Sequence, residues 1–242
     1  MAENLDRRYG LGQTATQAEI DEGLRSHMLK VYNYMASGVL LTGAISMLVF
    51  QWVAGDVEAA NLLYNSPLHW VIMLSPLAIV FAMSFGANRM SLTMLQALYW
   101  TFAVLMGVSL SWIFMVYTGT SIARIFFITA GMFGALSLYG YTTKKDLSGW
   151  GTFLFMGVIG ILIASIVNIF LQSEMMMFVI SVIGVLVFAG LTAYDTQKIK
   201  EIYFQGYGQE ATAKLSILGA LSLYLDFINM FLFLLRLFGS RE

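Results

Sequence analysis

Two carboxylates stand where an apolar chain has least reason to place them. Asp195, in GLTAYDTQKIKEIYF (190–204), comes at the end of a long uncharged run, and Asp226 lies inside the next one, LSLYLDFINMFLFLLRLF (221–238). A carboxylate at the centre of a bilayer costs about 2.5–3.5 kcal/mol on insertion scales, so each requires a buried partner or water. On a helix, Asp226 shares a face with Gly219, Ser222 and Asn229, and Asp195 shares one with Ser181, Gly184 and Thr192. Both faces are small and polar, suited to a bundle interior. If the two segments are antiparallel neighbours, the carboxylates can meet. Two such groups in low dielectric do not both ionise cheaply, so they would share a proton, and losing it near neutral pH would bias helix packing. The same pair could instead be satisfied polar groups that fix helix register, and the residues alone leave both readings open. Arg89, in FGANRMSLT (85–93), is the basic residue nearest the inner end of the bundle. It is a candidate latch to an ionised Asp195, or an ordinary cytoplasmic loop residue.

Other chemistries of membrane-embedded chains lack their residues. Tyr194–Asp195 imitates the Tyr-Asp of an intramembrane aspartyl protease, but that class sets its second aspartate in Gly-x-Gly-Asp, and Leu223, Tyr224 and Leu225 precede Asp226. A retinal protein needs a lysine in its last span, and none follows Lys214. A rhomboid-type serine protease needs a histidine in a late span; the two histidines, His27 and His69, are expected outside the bundle centre. Neither a phosphate-binding loop nor a dinucleotide fingerprint is present. The chain has no cysteine, which removes disulfides and thiolate chemistry. Its 13 basic and 14 acidic residues form no extended basic cluster, so nucleic acid is not an expected partner. The expectation is a protein that is not an enzyme and has no resident cofactor.

The elements that must position these residues are membrane spans. With 59% hydrophobic and 11% charged residues, and a mean hydropathy of +0.76, the chain is far more apolar than a soluble domain. A spanning helix needs about 20 apolar residues. The runs predict seven: Tyr32–Val53, His69–Phe85, Met94–Tyr117, Ile122–Tyr141, Gly151–Leu171, Met175–Lys198 and Leu215–Phe238. Spanning strands would alternate polar and apolar residues, and these runs are continuous. The linkers are too short for a soluble domain, so residues 31–242 form one seven-helix transmembrane domain behind a polar cytoplasmic segment, 1–30. That segment is no signal peptide, because the first apolar run continues at spanning length. Thr16 and Glu19 at capping-box spacing, followed by Ile20, Leu24, Met28, Val31 and Met35, predict a short amphipathic helix or an extension of the first span.

Lysine and arginine are retained on the cytoplasmic side. With the N-terminus inside, the inner set is Arg7, Arg8, Arg25, Lys30, Arg89, Lys144, Lys145, Lys198, Lys200 and Lys214, against Arg124, Arg236 and Arg241 outside. Small-residue stripes at Gly131, Gly134 and Ser137, and at Gly160, Ala164 and Asn168, predict close helix contacts. Trp52, Trp70, Trp100 and Trp150 predict interface anchors, and Pro76 a kink in the second span.

Three segments carry a family resemblance: LSLYGYTTKKDLSGWGTFLFMG (136–157), FAGLTAYDTQKIKEIY (188–203) and LSLYLDFINMFLFLLRL (221–237). Together they resemble the Bax inhibitor family, the transmembrane Bax inhibitor motif proteins, in a bacterial version, from about Gly23 to the C-terminus. The resemblance implies an all-α, polytopic seven-transmembrane-helix bundle of the inner membrane, with the last helix central and wrapped by the other six. It further implies a pH-sensitive calcium leak in which an aspartate pair on the sixth and seventh helices shares a proton and controls opening. The matching positions are Asp195 and Asp226, with Arg89 as the latch; Ser222, Asn229 and Thr192 are the supporting polar face that helical spacing gives. Calcium prefers six to eight oxygen ligands, so two carboxylates with Ser222 and backbone carbonyls would make a weak transit site rather than a cage. Asp56, Glu58 and Glu174, placed outside, are either ordinary solvated loop acids or a means of concentrating cations at the outer mouth. The expected partners are the lipid bilayer and calcium or other cations. The alternative is a non-conducting regulator that binds another membrane protein, such as a quality-control protease.

Overall fold

The computed structural model describes residues 17–203 and 208–241. Seven long helices carry almost all of them: α1 (Gln17–Ala54), α2 (Leu68–Gly86), α3 (Leu92–Leu110), α4 (Gly119–Thr142), α5 (Ser148–Leu171), α6 (Glu174–Ile202) and α7 (Gln209–Phe238). Each is long and apolar enough to cross a membrane. Short helical pieces, Val57–Ala60, Asn61–Asn65, Ala87–Arg89 and Ile113–Val116, turn the chain between spans. No strand occurs among the described residues beyond one isolated bridge, Tyr117 to Arg241. The N-terminal amphipathic segment is continuous with the first span. At 38 residues, α1 is about 57 Å long, well beyond the hydrocarbon core. The expected cap residue Thr16 lies outside the described residues, as do Arg7 and Arg8.

Helix starts follow local chemistry. Ser91, Thr118 and Ser173 each turn a hydroxyl back to an unpaired N–H of the first turn, from Met94, Ser121 and Met176. Pro76 removes the donor that the Ile72 carbonyl would use. The Ser75 and Ser109 hydroxyls donate to that carbonyl at 3.0 and 2.9 Å, so no backbone acceptor is left bare in lipid.

Burial orders the bundle. The apolar window of α7 is 67% buried, against 17% to 33% for the others. It packs on α6, α1, α4, α3 and α2, most extensively on α6, whereas α5 rests on α6 at the periphery. The central helix is therefore wrapped mainly by five, with α5 outside them. The most hydrophobic helix is the peripheral one: α5 has mean hydropathy 2.6 against 1.9 for α7. Lipid accepts apolar surface freely, while the centre is built from side chains that fit and pair.

Two sequence expectations change here. Gly131, Gly134 and Gly160 have no neighbour among the described residues within 4 Å of where a Cβ would stand, so the glycines of those stripes make no close contact, whereas Ser137 and Asn168 at the ends of the stripes are buried. Close approaches lie instead at Gly184, where a Cβ would come within 2.5 Å of the Phe233 ring across the α6–α7 contact, and at Gly140, where it would meet the Ala193 backbone across the α4–α6 contact. Trp52, Trp70 and Trp150 are exposed near helix ends, but Trp100 packs inside, tilted against Tyr34 and edge-on to Tyr99. A tryptophan near a span end stays at the interface only if no neighbouring helix offers its ring a slot.

Candidate functional site

α6 and α7, the most extensively packed pair of helices, carry the two aspartates. Asp195 sits in the inner third of α6, half-buried, and lines a cavity of about 210 Å³ with His27, Lys198, Ile199, Gly219 and Ser222. Because Gly219 and Ser222 share that cavity, Asp195 lies at their level of α7. Asp226 is one helical turn beyond Ser222, about 6 Å deeper into the membrane. It is only 4% exposed, and its Oδ2 has no hydrogen-bond partner among the described residues. The segment between them, EIYFQGYGQEATAK (201–214), is mostly helix, since α6 runs to Ile202 and α7 begins at Gln209; residues 204–207 lie outside the described residues.

The supporting residues divide. Ser222 faces the Asp195 cavity. Thr192 is fully buried, but its hydroxyl donates to the Phe188 carbonyl at 2.8 Å, and the Asn229 amide donates to the Leu225 carbonyl at 2.8 Å. Both satisfy their own helix rather than the carboxylates. Arg89 is exposed in the turn Ala87–Arg89 at the cytoplasmic end of α2. The ion pair among the described residues is Lys214–Glu210 at 2.9 Å, so Arg89 bonds neither aspartate in this conformation. No group of three or more histidine, aspartate or glutamate side chains is placed to hold a metal ion among the described residues. At the outer side Asp56 is engaged as a helix cap, accepting from Glu58 and Ala59 N–H, while Glu174 lines an outer cavity of about 550 Å³ with Arg236 and Arg241.

The sequence reading missed His27. Expected outside the bundle centre and given no role, it is 2% exposed, and its ring forms part of the wall of the Asp195 cavity. The signal was present, because His27 is three residues after Leu24 and four before Val31, on the apolar face of α1. The hydroxyl networks beside the pair were also missed. Tyr32, Ser137 and Thr196 join α1, α4 and α6 through contacts of 2.9 Å each. Tyr224 meets Thr42 at 2.7 Å, and Thr42 donates to the Ala103 carbonyl at 2.8 Å, joining α7, α1 and α3. Such side chains meet only when helices from distant parts of the chain are assembled.

Comparison with known proteins agrees with this architecture. A family model described as "Inhibitor of apoptosis-promoting Bax1" matches residues 24–242. An uncharacterized protein of Rickettsia prowazekii, RP147, is 48% identical over 239 residues, covering 98% of this chain and 99% of its own. The inner membrane protein YbhL of Escherichia coli K12 is 48% identical over 224 residues, covering 91% of this chain and 94% of its own. An uncharacterized protein of Caulobacter vibrioides is 44% identical over 247 residues, with 99% of each chain covered. Seven apolar helices with the last at the centre, and a match along nearly the whole length, place this chain in the Bax inhibitor family, as a multi-pass protein of the bacterial inner membrane.

Proposed function

We propose that the protein provides a pH-sensitive leak path for cations, calcium foremost, gated by protonation of the Asp195–Asp226 pair. The observation that carries this reading is the buried Asp226 Oδ2 without a partner, one turn beyond a cavity that Asp195 lines. A carboxylate that served only to fix helix register would be hydrogen-bonded, because an unsatisfied buried polar atom costs about 1–3 kcal/mol. An orphaned oxygen beside a second carboxylate is instead suited to holding a shared proton and, once that proton leaves, to attracting a cation. With few protein oxygens on offer, a divalent ion binds weakly and can depart, which conduction requires. The test is calcium uptake by liposomes containing the purified protein. Uptake above empty liposomes, altered by Asp226→Asn, is the expected result. Uptake at the empty-liposome rate for wild type and variant alike would remove the leak and leave the regulator that binds another membrane protein.

A further inference from the structure

We propose that His27 is a gate between the aspartate cavity and a vestibule on the cytoplasmic side; the gating role rests on the leak reading, but the geometry stands apart from it. A second, larger cavity of about 950 Å³ opens between the cytoplasmic ends of α1, α3 and α7, with Ser26, Lys30, Thr93, Glu210 and Thr212 in its wall. Among the described residues, His27 lines both this vestibule and the Asp195 cavity. Its side chain, 2% exposed, stands between the two, while Lys198 and Ile202 on the far wall of the Asp195 cavity are exposed.

Three helices hold the ring in place. It projects from α1. On one side Nδ1 contacts the Ser216 hydroxyl of α7 at 3.0 Å, and Ser216 also reaches the Thr212 carbonyl at 3.0 Å. The arrangement that satisfies both contacts has Ser216 donating to the carbonyl and accepting from ring N–H. Across its face the imidazole stacks on Tyr203, just after α6, with centroids 5.3 Å apart and planes 28° apart. The Tyr203 hydroxyl in turn occupies the space that a side chain at position 23 would fill, so Gly23 lets the tyrosine lie against α1. A partition attached to three separate helix ends opens when those ends shift, which a fixed plug on one helix would not do. Removal of the ring joins the vestibule to the chamber that holds Asp195 and Ser222.

The absence of cysteine makes the test direct. Ser222→Cys places a single thiol in the Asp195 cavity, and a membrane-impermeant maleimide is applied to the cytoplasmic face of inverted membrane vesicles. With His27 present, labelling is expected to be slow. In His27→Ala it should be at least about tenfold faster, and Tyr203→Leu, which removes the stacking partner, should accelerate it in the same direction. His27→Phe, which refills the space, should restore slow labelling and thereby separate loss of the partition from loss of the fold. Equal labelling rates with and without the ring would overturn the gate, even where the wild type conducts calcium. Accelerated labelling in variants that conduct nothing would keep the partition and remove the leak reading alone.

Discussion

Asp226 places an unpartnered oxygen in the most buried helix of the bundle, and the helix would pack better without it. Replacing a buried, unsatisfied polar group by an apolar one of similar size is neutral or stabilising. Asp226→Leu is therefore expected to hold or raise the thermal unfolding midpoint in detergent, whereas a register-fixing role would lower stability by about 1–3 kcal/mol. Arg89 is the opposite case. Exposed and unpaired with either aspartate here, it contributes little to folding, so Arg89→Gln should leave stability within about 0.5 kcal/mol. Its expected effect is on the pH profile of calcium flux, which moves if the arginine engages the ionised pair in another conformation. An unchanged profile would reduce Arg89 to a positive-inside residue. At this scale the aspartates were legible because a charge inside an apolar run is conspicuous. His27 was not, because it falls in a segment whose composition reads as polar although its face of the helix is buried.

Between elements, buried polar side chains hold the helices in register. Gln197 of α6 accepts from the Leu147 N–H at 2.7 Å and donates to the Lys145 carbonyl at 2.9 Å, fastening the α4–α5 connection. Gln197→Leu leaves those backbone groups without their partner and should cost about 1–3 kcal/mol, read as a lower unfolding midpoint. In the same connection, hydrogen bonds from the Ser148 hydroxyl and N–H hold the exposed Asp146 carboxyl below the usual carboxylate range. That contribution is present above the ordinary carboxylate pKa and is lost as pH falls through the lowered one, so it plays no part in switching near neutral pH. Helix positions were legible from apolar runs, with ends shifted by several residues where polar turns continue the helix, as at Gln209–Lys214. The partners were not. Which glycine meets a neighbouring ring depends on helix rotation, and Gly184 and Gly131 look alike in sequence.

For the whole molecule, hydropathy gives the number of spans but not their arrangement. Its strongest signal belongs to α5, which faces lipid, while the central α7 carries serine, tyrosine, asparagine and aspartate. The central place of the last helix followed from the family resemblance, and burial accounts for it: α7 can hold polar groups because five helices cover them. That arrangement sets a carboxylate pair between a cytoplasmic cavity and the bundle core, and the pair is the proposed switch. The decisive measurement is the pH profile of calcium flux between about pH 6 and 8 in liposomes containing wild type, Asp195→Asn or Asp226→Asn. A flux that varies with pH in the wild type and is flattened or displaced in both variants is the expected result. A wild-type flux that is independent of pH, or a pH profile that both variants reproduce unchanged, would contradict the pair as the gate.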